Sequence, residues 1–148
     1  MNILGAIIAG LVGTVAISVV MAMAPMMGMP KMDIVGMLGT MFGKPNRPMG
    51  WVMHFMIGAI FVLIYSFFWS VGVGNATWAS GLIFGGAHWL VVGIVMGMIP
   101  IMHVGIKSGE VKAPGLWMTN NGGMVAFMGG LIGHLVFGVV VVLVYNLF

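Results

Sequence analysis

The sequence predicts an all-α membrane protein, a four-transmembrane-helix bundle made from two tandem homologous helix hairpins with both termini outside. Three observations carry this reading. Charged residues are 5% of the 148 residues and hydrophobic ones 61%, whereas a soluble domain uses about 25% charged residues to cover its surface. Four uncharged apolar runs, near 3–25, 48–72, 77–101 and 124–147, each reach the roughly 20 residues that cross a bilayer. The first two runs also return, residue pattern for residue pattern, as the last two. Together they occupy most of the chain, so 1–148 reads as a single integral membrane domain.

Charge sets the orientation. Lys31, Lys44 and Arg47 lie between the first and second runs, and Lys107 and Lys112 between the third and fourth. The positive-inside rule makes loops 26–47 and 102–122 cytoplasmic and turns both termini outward. The net charge of +3 is therefore a topology signal, and no nucleic-acid partner is read from it. The chain has no cysteine, which excludes disulfides and thiolate chemistry. Residues 3–25 lack a basic n-region and exceed a signal-peptide h-region in length, so they are read as a retained span.

In the first span Gly10, Thr14, Ser18 and Ala22 recur every four residues, a small-residue stripe that lets helices approach closely in lipid. Pro25 then bends or ends the helix. Within the first loop, Asp33 precedes Ile34, Met37, Leu38, Met41 and Phe42 on one helical face, with Gly43-Lys44-Pro45 after them. An Asp cap and this stop predict a short helix lying flat in the cytoplasmic interface. The second span carries His54 between Gly50 and Gly58, with Trp51 at one end and Tyr65 and Trp69 at the other, as an aromatic belt requires. A short turn at 73–76 makes spans two and three antiparallel neighbours. Span three has its own stripe, Gly81, Gly85, Trp89, Gly93 and Gly97. Span four carries His134 between Gly130 and Gly138 and ends near Tyr145.

Shifted by about 75 positions, span three overlays span one, and Val20-Met21-Ala22-Met23-Ala24-Pro25-Met26-Met27 returns as Val95-Met96-Gly97-Met98-Ile99-Pro100-Ile101-Met102. Span four repeats span two with a shift of about 80. The chain thus reads as repeat 1, about 1–73, and repeat 2, about 74–148. Parallel repeats are related by a pseudo-twofold axis along the membrane normal. His54 and His134 are then expected at one depth, on the order of 6–10 Å inside the cytoplasmic surface at ~1.5 Å per residue.

Two candidate sites follow. His54 and His134 form a cofactor-binding pair, suited to bis-imidazole ligation of haem b or to a metal; the alternative is that each histidine bonds a neighbouring helix. Met21, Met23, Met27, Met96, Met98 and Met102, with His103, form a candidate copper set, since thioethers suit Cu(I); the alternative is that methionine fills gaps in the bundle or faces lipid. His88 has no partner in the repeat and is read as a quinone or proton-relay group, or as a lone polar contact. Asp33 and Glu110, the only carboxylates, lie in loops, which disfavours the usual Asp/Glu proton-coupled transport. No catalytic constellation is present.

The segment Asp33-Ile34-Val35-Gly36-Met37-Leu38-Gly39, the motif Gly50-Trp51-x-x-His54 and the motif His134-x-x-x-Gly138 resemble a family of small bacterial four-span membrane proteins of unknown function. The resemblance implies the fold and a bacterial cytoplasmic (inner) membrane location, and it implies no activity. The resulting expectation is a non-enzymatic accessory or assembly subunit that docks to other membrane protein subunits through its small-residue stripes. A haem- or copper-binding protein and a small transporter or channel are the alternatives.

Overall fold

Polar side chains start three of the four long helices. Asn2 Oδ1 accepts from Gly5 N at 2.9 Å, Asn46 Oδ1 from Met49 N at 3.0 Å, and Thr77 Oγ1 from Ser80 N at 3.4 Å. Each bond satisfies an amide that the first helical turn leaves unpaired. The computed structural model describes residues 1–148. It is all-helical: α1 Ile3–Met23, α2 Ile34–Gly39, α3 Arg47–Ser70, α4 Trp78–Met98, α5 Val104–Lys107 and α6 Gly123–Tyr145. Helices α1, α3, α4 and α6 are long and apolar enough to cross a membrane. Short 3₁₀ turns at Ala24–Met27 and Ile99–Ile101, each containing its proline, prolong α1 and α4, because a proline ring fits a helical start but not a helix interior. The charged side chains all lie at the end that carries α2 and α5, hereafter the loop end.

Glycines decide which helices approach. A β-carbon added at Gly10 of α1 would meet Ala59 Cα of α3 at 2.6 Å, and one at Gly58 would run into Thr14 Oγ1. On the other side, a β-carbon at Gly81 of α4 would meet Gly138 O of α6 at 2.6 Å, and one at Gly138 would meet Gly81 O. Close backbone approach of this kind needs residues without side chains. Helix α6 also packs along α1, where Gly13 faces Val141 and Phe137. The backbone order is therefore α3, α1, α6, α4. Gly10, Thr14, Gly81, Gly85 and Gly93 of the small-residue stripes are buried inside the bundle, Gly93 beneath Trp117, whereas Ala22 and Gly97 at the loop end are exposed.

Helices α3 and α4 are neighbours, as expected, but not through their backbones. They are joined by a short turn, yet they meet through large side chains rather than backbone. Phe61 stacks on His88 with ring centroids 3.6 Å apart, Tyr65 meets Phe84 at 5.0 Å, and Trp69 Nε1 donates to Ser80 Oγ at 3.3 Å. These rings hold the two helix axes apart, and the gap continues toward the loop end as a cavity.

The short loop helix also differs from its expectation. Asp33 caps it, with Oδ1 accepting from Gly36 N at 2.9 Å, but α2 stops at Gly39 and leaves Phe42 exposed. The carbonyls of Thr40 and Met41 accept from Gly105 N and Val104 N, so the α5 segment ties down this end. Helix α2 packs into α3 through Gly39 and Gly50, and it buries Val35, Met37 and Leu38.

Candidate functional site

The cavity between α3 and α4 measures about 300 Å³. Its walls come from α1, α3, α4 and α6, and Ile34, Met37 and Leu38 of α2 close it toward the loop end. Most of the lining is apolar, and no lysine, arginine or carboxylate lines it. Its polar groups are Thr14, His54, His88 and His134, with the indole of Trp89. The Thr14 hydroxyl is engaged, donating to Gly10 O at 2.7 Å.

Each imidazole is tethered to a helix by one nitrogen. His134 Nδ1 lies 2.8 Å from Gly130 O; a carbonyl only accepts, so Nδ1 carries the proton. His54 Nε2 lies 3.2 Å from Ser18 Oγ, whose single hydrogen is directed to Thr14 O at 2.6 Å. Ser18 is then the acceptor and His54 Nε2 the donor. His88 Nδ1 lies 3.0 Å from Tyr65 Oη, which donates to Phe84 O at 3.0 Å, so His88 Nδ1–H donates to the tyrosine. These protonation states follow from the partners' chemistry. An interhelical hydrogen bond in a bilayer averages about 0.6 kcal/mol, too little to hold the bundle but enough to fix a ring.

The remaining nitrogens, His54 Nδ1, His88 Nε2 and His134 Nε2, have no hydrogen-bond partner in the protein. They are not sealed by packing either: the buried side-chain nitrogens and oxygens without a partner are Nε1 of Trp89 and Nε1 of Trp117. His88 and His134 meet at a centroid distance of 4.8 Å and 84°, and Trp89 packs on His134 at 5.0 Å. The histidines do not form a three-ligand metal cluster.

The structure distributes the other sequence candidates widely. Met21 and Met96 line the cavity. Met23, Met27, Met98 and Met102 are half or more exposed, at 50%, 70%, 56% and 68%, and point away from it. His103 is fully buried, and both its nitrogens are engaged: Nδ1 accepts from Ile106 N at 3.0 Å and Nε2 donates to Met37 O at 2.8 Å. It caps α5 and clips the loop to α2. His54 and His134 both line the cavity, but the imidazole touching His134 is His88.

Tyr65 and His88 were the residues missed as a pair, although a signal was present. Phe61 and His88, Tyr65 and Phe84, and Trp69 and Ser80 are each equidistant from the centre of the Gly74-Asn75 turn. Folding the sequence about that turn registers all three contacts.

At the loop end, a polar recess lined by Lys31, Asp33, Lys112 and Asn120 adjoins the cavity, and Met37 and Met118 line both. Trp117 and Met118 hold left-handed backbone, with φ of 48° and 59°, a conformation that costs a non-glycine residue about 1–3 kcal/mol. The strain is supported by packing: Trp117 lies against Gly93, and Met118 is 3% exposed.

Comparison with protein-family models, curated proteins and solved structures gives no match for this chain. Function is therefore argued from the cavity.

Proposed function

We propose that this chain is a non-enzymatic subunit of the bacterial cytoplasmic membrane that holds a small, mostly apolar ligand between α3 and α4. The observation that carries this is the cavity of about 300 Å³ with three tethered imidazoles in an apolar wall. That volume is at the small end of ligand sites, which are concave, largely apolar and marked by a few placed polar groups. Ionisable side chains within membrane spans are costly and mark function. Most of the stripe residues expected to dock a larger complex, Gly10, Thr14, Gly81, Gly85 and Gly93, are buried within the bundle, which favours holding a ligand over bridging subunits.

The same reading includes the finer topology. Loops 26–47 and 102–122 face the cytoplasm and the termini face outward, supported by the five basic residues at one end. The two hairpins are tandem copies, a reading supported by equivalent packing: Gly58 lies against Gly10 in one, and Gly138 lies against Gly85 in the other. Membership of the family of small four-span bacterial proteins rests on the Asp33–Gly39, Gly50–His54 and His134–Gly138 motifs.

A second reading, metal or haem ligation, is favoured by one observation. A ligating histidine normally donates its other N–H to an acceptor, as His54, His88 and His134 do. Of the copper candidates, Met21 and Met96 are the thioethers lining the same cavity. The test is mass spectrometry, elemental analysis and absorbance of protein gently extracted from its membrane. An organic molecule near one per chain, displaced in Val92→Trp, is expected. A Soret band or a fixed copper ratio selects the second reading, and a folded protein with neither ligand nor metal rejects both.

A further inference from the structure

We propose that the cavity takes a neutral aromatic molecule bearing one or two hydroxyl groups, of the phenol or hydroquinone class, each O–H donating to one of the free nitrogens His54 Nδ1, His88 Nε2 and His134 Nε2. This rests on the reading of the cavity as an apolar-ligand site and names the chemistry of the ligand.

A neutral imidazole has one N–H and one lone pair. In each of the three rings the N–H is directed to a helix partner: Ser18 Oγ at 3.2 Å, Tyr65 Oη at 3.0 Å and Gly130 O at 2.8 Å. What each ring offers a ligand is therefore a lone pair, and a lone pair recognises a donor. A ligand with carbonyl oxygens alone presents acceptor to acceptor. To receive it, His134 would have to move its proton to Nε2 and leave Gly130 O facing a lone pair, and His54 and His88 would break the Ser18 and Tyr65 relays. Such buried unpaired groups are what make a polar site reject an analogue lacking the matching hydrogen.

The charge and shape of the ligand follow from the walls. With no lysine, arginine or carboxylate in the lining, an ion would enter without a counter-charge, so the ligand is neutral. Phe61 stacks on His88, and Phe137 and Trp89 pack against the other faces of the His88–His134 pair. A flat ring finds aromatic surface there for offset or edge contact, and the volume of about 300 Å³ suits one substituted ring.

The experiment measures binding of 2,3,5-trimethylhydroquinone, its dimethyl ether and the corresponding quinone to the full chain in lipid nanodiscs. Empty nanodiscs correct for partitioning, and argon keeps the hydroquinone reduced. The hydroquinone is expected to bind about tenfold more tightly than the ether, and more tightly than the quinone. His88→Phe and His134→Phe should narrow that ratio while still binding the ether. Should those fail to fold, His54→Phe, at a partly exposed position, carries the same expectation. Equal affinity for hydroquinone and ether, tighter binding of the quinone, or an unchanged ratio in the folded variants overturns the proposal and leaves an apolar site standing. Failure of all three probes, the ether included, overturns the cavity reading itself.

Discussion

Two glycines of the same bundle illustrate how much depends on a single hydrogen. A β-carbon at Gly138 would collide with Gly81 O and come within 3.1 Å of Gly85 Cα, whereas one at Gly86 would reach only Leu135 Cδ2 at 3.9 Å. Backbone atoms cannot move aside as a flexible side-chain tip can. Gly138→Val should therefore part α4 from α6 and cost about 1–3 kcal/mol, while Gly86→Val should be close to neutral. Thermal unfolding in detergent, followed by helical circular dichroism, separates the two; equal midpoints would refute the packing argument. The stripes were legible because glycine at four-residue spacing has few other uses in a membrane helix. Which helix each stripe faces was not legible, since spacing names a face and not its partner.

At the scale of elements, α2 is a small part with three attachments. Asp33 caps it and pairs with Arg47 Nη1 at 2.8 Å, Gly50 lets it nest on α3, and the α5 segment bonds the Thr40 and Met41 carbonyls just beyond it. Burial pushes the Asp33 carboxyl up, but the Arg47 hydrogen bond, the Gly36 amide and the charges of Arg47 and Lys31 outweigh it and hold it below its ordinary value of 3.8. A carboxyl lowered on folding stabilises fully above its ordinary value and loses that contribution as pH falls through the lower, folded one. Amide exchange of residues 34–39, corrected for intrinsic rates, should therefore accelerate on acidification below about pH 4. In Asp33→Asn, which still caps, that acid step should vanish. Retention of the full step in the variant would assign it elsewhere. The cap and the stop of this helix could be read from Asp33 and Gly43-Lys44-Pro45. Its early end at Gly39 could not, because the Thr40 and Met41 carbonyls that follow are held by Gly105 N and Val104 N, far along the chain. The left-handed pair Trp117 and Met118 was hidden for the same reason: local sequence gives no cause for it, and only Gly93 and the methionine-lined cavity floor support it.

For the whole molecule, four spans followed from charge-free length alone, and the observed helices agree with those runs to within a few residues. The cavity did not follow. If the hairpins are copies, the α1–α6 contact and the α3–α4 contact are equivalent, yet one is closed by Gly13 and the other is propped open by Phe61, Tyr65, Trp69 and Phe84. A repeat pattern predicts sameness, and the cavity lies where these two contacts differ. Co-expressed segments 1–73 and 74–148 should associate through α1 and α6 and co-purify on a tag carried by either one. Gly13→Leu, which would press on Val141 and Phe137, should release them; a pair that never co-purifies would count against α1–α6 as the joint.

Helix α6 is the partner that both α1 and α4 require, and it follows both of them in the chain. During synthesis α1 can settle on α3 at once, but α4 enters the bilayer with Gly81 and Gly85 bare to lipid and waits. Biogenesis therefore has a vulnerable interval, closed only when α6 is inserted. A chain interrupted before Gly123 would leave two helices without their mate, a clear mark for membrane quality-control proteases.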